Sequence, residues 1–343
     1  MNIVLIPAYK PDEKLTDLAC SLHNKGLTVI IVDDGSGQEY RALFEKAERY
    51  AEVVTCSRNG GKGAAIKTGL AYIRGKFEAP YTVTTADADG QHRLKDIVRV
   101  SKRARSHPGA LVLGYRTISR EMPLRNWFGN FYTKIAFLLA TGKYVSDTQT
   151  GLRAFSDRLV PFMLAVRGTR YEYETNVLLN WARCNNAIAE VPIRTIYHDG
   201  NSHSHFRAVW DSVLIYWEII KFAAPSFICL FLELLLFCLS VAFIPWGLHP
   251  LADNIAVRLL TATLFFMLTN WSVRRYPAVK KLSPRRFLLM EAVSLVLNTA
   301  AVWAMMKGGL PPLGAKLIAN LTLFFAGITL QRKFFYVDTD KRR

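Results

Sequence analysis

The sequence of 343 residues predicts an α/β domain on a mainly parallel sheet, followed by four membrane-spanning helices. Three observations predict it. Short apolar runs alternate with helical patterns up to about Lys221, which is the signature of βαβ units. Carboxylates and glycines repeatedly follow those runs. Beyond Lys221 come four long apolar stretches.

Charge and composition narrow the partners. The net charge is +17, split as +8 before Phe222 and +9 from it onward. Such a basic balance suits nucleic acid or an anionic membrane surface, and the apolar stretches select the membrane over nucleic acid. Cys20, Cys56, Cys184, Cys229 and Cys238 form no CxxC pair and read as reduced thiols. Met1–Tyr9 reads as a strand and not as a cleavable leader, so the first domain is expected in the cytosol.

The elements follow in order. Asn2–Ala8 is an apolar strand closed by Pro7. Pro11–Lys25 places Leu15, Leu18, Ala19 and Leu22 on one helical face. Thr28–Val32 is a strand ending in Asp33-Asp34-Gly35-Ser36. Tyr40–Tyr50 is helical, Glu52–Cys56 a strand, Arg58–Gly63 a glycine-rich turn and Ala64–Ile73 a helix. That turn, RNGGKGAA, lacks both the GxxxxGK[ST] and the GxGxxG spacing. It can bring backbone N–H groups and Lys62 to a phosphate, and it can equally be a plain helix entry.

The stretch Tyr81–His92, YTVTTADADGQH, is the most informative. A β-branched strand runs into Asp87 and Asp89, which puts two carboxylates at the carboxyl edge of a sheet, where open α/β sheets take ligands. Two such groups can share one hard cation whose remaining positions go to phosphate and water. The alternative is a polar turn. Crossover connections would gather Pro7 and Tyr9, Asp33 and Asp34, the glycine turn, and Asp87 and Asp89 at one sheet edge.

Leu94–Ser106 reads as a basic amphipathic helix and Ala110–Gly114 as a strand ending at Arg116. Met122–Leu139 mixes aromatics with Arg125, as a membrane-interface helix or a packed helix would. Asp147–Phe155 reads as a loop, Arg170–Trp181 as a helix and Ile188–Ile196 as an edge strand carrying Pro192. His198–Arg207 holds three histidines, but their spacing matches no zinc pattern.

The four apolar stretches are Phe222–Trp246, Ile255–Trp271, Phe287–Met306 and Leu317–Phe335. Arg274, Arg275, Lys280, Lys281, Arg285 and Arg286 fall between the second and third. Arg332, Lys333, Lys341, Arg342 and Arg343 follow the fourth. By the positive-inside rule, both ends and the middle loop face the cytosol. The remaining loops are read as nearly uncharged, apart from Asp253, Lys307 and Lys316. Glu233 lies inside the first span and needs a partner, for which Arg258 is the candidate. Phe206–Phe222, with Trp210, Tyr216 and Trp217, fits a surface helix between the halves.

The motifs Pro7-Ala8-Tyr9, Val32-Asp33-Asp34-Gly35-Ser36, Asn59–Gly63, Asp87-Ala88-Asp89-Gly90-Gln91-His92 and Asp147–Phe155 occur in this order. In this the first 210 residues or so resemble the family 2 glycosyltransferases, specifically the polyprenyl-phosphate hexose synthases. Residues 222–337 resemble the GtrA-like membrane module, on weaker motifs such as Gln331-Arg332-Lys333-Phe334.

The resemblance implies a GT-A (Rossmann-like) domain over 1–205, an interfacial helix over 206–221 and a four-helix membrane domain over 222–337. It implies that Pro7, Tyr9, Asp33, Asp34, Lys62, Asp87, Ala88 and Asp89 bind the nucleotide sugar. Asp87, Asp89 and Gln91 would hold Mg²⁺ or Mn²⁺, and Arg116, Arg125 and Arg207 would meet the acceptor phosphate. Asp87, Asp89, Arg116 and Arg125 would be the catalytic set. The family's acidic residue soon after the tyrosine is displaced here, because Lys10 and Pro11 precede Asp12 and Glu13. That leaves UDP and GDP both open.

The expected activity is transfer of a hexose from a nucleotide-diphosphate sugar to a polyprenyl phosphate at the inner membrane. The expected enzyme is multi-pass, with its catalytic domain and C-terminus cytosolic, and a homo-oligomer is compatible. Two rivals are weighed. A processive polymerase would carry a QxxRW-type motif, which is absent. A lipid-linked sugar transporter with a degenerate head is opposed by the intact Asp87/Asp89 pair.

Overall fold

The structure, a computed structural model, describes residues 1–117, 133–138, 140–194, 210–243, 250–274 and 283–335. The chain divides into two units. One comprises Met1–Phe137, Tyr144–Ala182 and Asn186–Glu218, and the other Leu138–Lys143, Arg183–Asn185 and Ile219–Arg343.

The first unit is built on seven strands: β1 (Asn2–Ala8), β2 (Thr28–Asp33), β3 (Glu52–Thr55), β4 (Thr82–Thr85), β5 (Leu111–Arg116), β6 (Arg153–Ser156) and β7 (Ile188–Ile193). Their order in the sheet is β3-β2-β1-β4-β6-β5-β7. All pairings are parallel except those of β6, which runs antiparallel to β4 and β5. The mainly parallel α/β fold is therefore as expected, and β7 is an edge strand, with β3 at the opposite edge.

β1 sits mid-sheet, with Ile3, Val4, Leu5 and Ile6 fully buried. Such runs belong to parallel strands covered on both faces. Val4 and Ile6 pack with Leu15, Leu18 and Leu22 of helix α1 (Lys14–His23). On the other face helix α3 (Lys62–Lys76) comes so close at Gly69 that a Cβ there would lie 2.3 Å from Leu5 Cδ1. Pro7 is tolerated because the β1–β4 ladder stops at Leu5 and Thr85, so its missing N–H removes no bond on that side.

Several boundaries differ from expectation. Asp147–Phe155 is not all loop, because Arg153–Ser156 forms β6. A four-residue strand bonded on both sides needs little periodicity of its own. Tyr40–Tyr50 narrows to helix α2 (Arg41–Ala47), and α3 starts two residues before Ala64. Helix α4 (Leu94–Ser106) matches its expected range, and α5 (Val160–Ala165) and α6 (Glu172–Arg183) follow later in the chain. The interface-helix reading of Met122–Leu139 and the His198–Arg207 loop lie almost wholly outside the described residues.

The described residues of the apolar part form helices α7 (Trp210–Phe243), α8 (Pro250–Arg274), α9 (Pro284–Lys307) and α10 (Pro312–Phe335). Among the described residues, three segments are long and apolar enough to cross a bilayer: Ala224–Phe243, Pro250–Asn270 and Pro284–Lys307. In α10 the described apolar stretch is the shorter Pro312–Phe324. α7 runs without a break past residue 221, so no separate surface helix ends there. Asp253 and Lys316, expected in loops, are buried inside α8 and α10. Glu233 pairs with Arg258 at 2.9 Å as expected, and Lys316 is its second partner.

Candidate active site

The sheet order reverses between β1 and β4, since β1 leads outward to β2 and β3 before the chain returns. Ligand crevices of open α/β sheets form outside the carboxyl ends at such a point. Here a cleft of about 350 Å³ opens between the turn after β1 and the segment after β4. It is lined by Pro7–Asp12, Asp34, Asn59, Gly61, Lys62, Ala65, Asp87–Asp89, Arg170 and Tyr171.

Local hydrogen bonds shape its walls. Lys10 takes a left-handed backbone, φ 47°, and its N–H donates to Ser36 Oγ at 2.9 Å. Asp34 accepts the backbone N–H groups of Gly60 and Gly61, each at 2.8 Å. Its two oxygens thus hold the glycine turn that starts α3. Gly61 has φ +92°, and a Cβ there would lie 2.7 Å from Thr169 O. Asp33 sits just outside the lining and accepts the Ser36 N–H at 2.8 Å.

Lys62, at the start of α3, anchors the electrostatics. Its Nζ lies 2.7 Å from Asp87 Oδ1 and 2.8 Å from Glu174 Oε2 on α6. Burial opposes the ammonium charge, but Asp87 and Glu174 override it and hold Lys62 protonated. Asp87 Oδ2 lies 3.2 Å from His92 Nε2. Burial would raise the Asp87 carboxyl, yet the Lys62 charge and His92 hold it well below the usual carboxylate range. Asp89 goes the other way. Burial and then the Asp87 charge push its carboxyl up. Only the Gln91 N–H, at 3.0 Å, is bonded to Asp89 among the described residues.

This donor set fits a hard divalent cation. Two carboxylates of one short turn line the cleft, and charge on Asp89 is costly without a counter-ion. Among the described residues no group of three or more His, Cys, Asp or Glu could hold a metal. A cation would therefore complete its shell with ligand oxygens and water.

Of the residues singled out from sequence, Pro7, Tyr9, Asp34, Lys62, Asp87, Ala88 and Asp89 line one cleft. Gln91 and Arg116 do not line it. The Arg116 guanidinium grips Asp147 through Nε at 2.6 Å and Nη2 at 3.0 Å. Asp147 is fully buried, and although burial would raise its carboxyl, Arg116 pulls it below the ordinary value. Arg125 and Arg207 lie outside the described residues. Sequence reading did not place Arg170, Tyr171 or Glu174 at the site; Arg170 and Tyr171 lie in the turn just before α6 and Glu174 in its first turn, with no motif spacing to mark them.

The profile described as Glycosyl transferase family 2 matches residues 3–163. The UDP-N-acetylglucosamine–dolichyl-phosphate N-acetylglucosaminyltransferase of Methanococcus voltae is 31% identical over an alignment of 217 residues that covers 57% of this chain and 85% of that protein. The undecaprenyl-phosphate 4-deoxy-4-formamido-L-arabinose transferase of Salmonella choleraesuis is 30% identical over 174 residues, 47% of this chain and 50% of its own length. A solved glucosyl-3-phosphoglycerate synthase from Mycobacterium tuberculosis aligns with a TM-score of 0.49 and 18% identity over 65% of this chain and 76% of its own. With a relative at this identity covered over most of its length, and with the profile match on the cleft-bearing unit, the chain belongs to glycosyl transferase family 2.

Proposed function

We propose that this chain transfers a hexose or N-acetylhexosamine from a nucleotide-diphosphate sugar, UDP- or GDP-linked, to a polyprenyl phosphate. The single observation that carries the reading is the cleft at the sheet's switch point, where Asp87 and Asp89 meet Lys62 and the glycine turn. Two relatives named for dolichyl-phosphate and undecaprenyl-phosphate acceptors support the lipid acceptor. Three helices long and apolar enough to span a bilayer support membrane association.

The residues take these roles. Pro7 and Tyr9, with Asp33 close behind the wall, hold the nucleoside, while the turn fixed by Asp34 and the Lys62 ammonium face the diphosphate. Asp89, assisted by Asp87 and Gln91, would hold Mg²⁺ or Mn²⁺, which would neutralise charge on the departing diphosphate. Lys62 is oriented by Asp87 and Glu174, so its charge is preorganised where leaving-group charge develops. The acceptor phosphate is anionic near neutral pH and attacks without a dedicated general base. Arg116, with its guanidinium set by Asp147, is assigned to that phosphate together with Arg125 and Arg207. The apolar helices act as a GtrA-like module that keeps the enzyme with its lipid. The basic stretch 274–286 between the second and third apolar runs orients the catalytic unit and C-terminus to the cytosol.

The test is to incubate membranes containing the protein with labelled UDP- and GDP-sugars and extract lipid. The reading expects label in a chloroform-soluble, mild-acid-labile product. No labelled lipid with any donor would leave a transporter with a silent head as the better account.

A further inference from the structure

The turn just before α6 brings to the cleft two groups that the proposed reaction leaves without a role. Arg170 and Tyr171 line the same cleft as Lys62, Asp87 and Asp89. Both stand in residues 166–171, which form neither helix nor strand. That segment is nevertheless anchored at several points. The Thr169 carbonyl accepts the N–H of Ala64 at 2.8 Å, and the Gly168 carbonyl accepts Lys67 Nζ at 2.9 Å. Glu172 Oε1 accepts the N–H groups of Thr169 and Arg170, at 2.9 and 3.2 Å. Asn176 Nδ2 donates to the Arg167 carbonyl at 3.2 Å. Such anchoring presets the position of a loop side chain before a ligand arrives.

The glycine turn leaves room for Arg170. A Cβ on Gly61 would lie 2.9 Å from Arg170 Cγ, closer than real contacts allow. The Arg170 stem therefore lies over Gly61, next to Lys62 in the chain. The following residue marks the same neighbourhood, since Lys62 Nζ lies 5.8 Å from the centre of the Tyr171 ring. With Lys62 on Asp87, this is the side of the carboxylate pair, where the transferase reading sets the diphosphate.

Charge gives the reason for a second cation there. Among the described residues, Lys10, Lys62 and Arg170 are the cations lining the cleft, against Asp12, Asp34, Asp87 and Asp89. Lys62 lies between Asp87 and Glu174, so two carboxylates offset its charge. Lys10 reaches to exposed Glu39 at 3.6 Å. A diphosphate adds to this negative excess, and more charge develops on it as it departs. A guanidinium is always protonated, and its fork of N–H donors matches phosphate oxygens.

We propose that Arg170 is a further catalytic residue, which binds the β-phosphate of the donor beside Lys62. This role rests on the transferase reading for the reaction itself. As an acceptor phosphate oxygen bonds to the anomeric carbon, the bond from that carbon to the β-phosphate oxygen breaks. Its electron pair stays on that oxygen, and the Arg170 guanidinium donates to the phosphate where the charge grows.

The test titrates UDP, GDP, UMP and GMP into the purified full chain in detergent with Mg²⁺, by calorimetry. Arg170→Gln removes the charge, and Arg170→Lys keeps it without the fork. Arg167→Gln is the control, an exposed arginine of the same segment that does not line the cleft. Arg170→Gln is expected to weaken the diphosphate that the parent binds by at least about tenfold, and its monophosphate by less than about twofold. Arg170→Lys should lose at least about threefold on the diphosphate alone, and carries the test where Arg170→Gln does not melt cooperatively. Arg167→Gln should match the parent. Sugar transfer at saturating donor should fall by about 100-fold in Arg170→Gln, and transfer within about twofold of the parent would overturn the catalytic role. An unchanged diphosphate affinity overturns the assignment. So does equal weakening of diphosphate and monophosphate, which would mark a loosened cleft. A parent that binds neither diphosphate overturns the transferase reading as well, whereas an active parent with an unimpaired Arg170→Gln overturns the Arg170 role alone.

Discussion

A single methyl group at Gly151 would place a Cβ 2.3 Å from Asp87 Oδ2 and 2.7 Å from Oδ1, where ordinary contact begins at 3.4 Å. In Gly151→Ala the Asp87 carboxylate must therefore retreat by about 1 Å, a displacement that can cost on the order of 100-fold in rate. The retreat also pulls Asp87 from Lys62 and His92, which hold its two oxygens at 2.7 and 3.2 Å. The fold suffers less, since overpacking of one methyl group costs about 1–3 kcal/mol. The assay is sugar transfer to lipid beside a thermal melt, with Gly109→Ala as control because nothing lies within 4 Å of its Cβ. The account expects Gly151→Ala to lose about 100-fold in turnover while still folded. Turnover within twofold of the parent would show that Asp87 does not need its observed position.

Other substitutions probe the remaining parts. Lys62→Met leaves buried Glu174 and partly exposed Asp87 without their shared cation and is expected to cost up to about 3 kcal/mol, read from the melting midpoint; an unchanged midpoint would deny the ion pairs. Asp147 titrates below its ordinary value in the folded chain, so its contribution is present at neutral pH and is lost as pH falls through the folded value. The parent should therefore lose stability on acidification below about pH 4 more steeply than Asp147→Asn; parallel acid curves would refute the Arg116–Asp147 assignment. Removing divalent cations with a chelator should abolish transfer and leave the melt of the apolar helices unchanged, and Mg²⁺ or Mn²⁺ should restore it.

Much of the cleft is legible in the sequence. The Asp87/Asp89 turn, the glycine turn and Pro7–Tyr9 each follow an apolar run, and topology alone brings the ends of such runs together. What could not be read came from long-range pairing. Glu174 reaches Lys62 across the fold, and Arg116 finds Asp147 with no spacing to announce either contact. β6 escaped notice because its four residues owe their form to neighbours on both sides. Lys316 looked like a loop cation because charge normally ends a membrane span. Its burial against Glu233 appears only once the helices are assembled.

The most direct measurement is transfer by the purified full chain from labelled nucleotide sugar to polyprenyl phosphate, comparing the parent with Asp89→Ala at equal thermal stability. The account predicts labelled lipid from the parent and loss of at least about 100-fold in the variant, the scale of removing one charge-stabilising group at a reacting centre. Equal product from both proteins would contradict it.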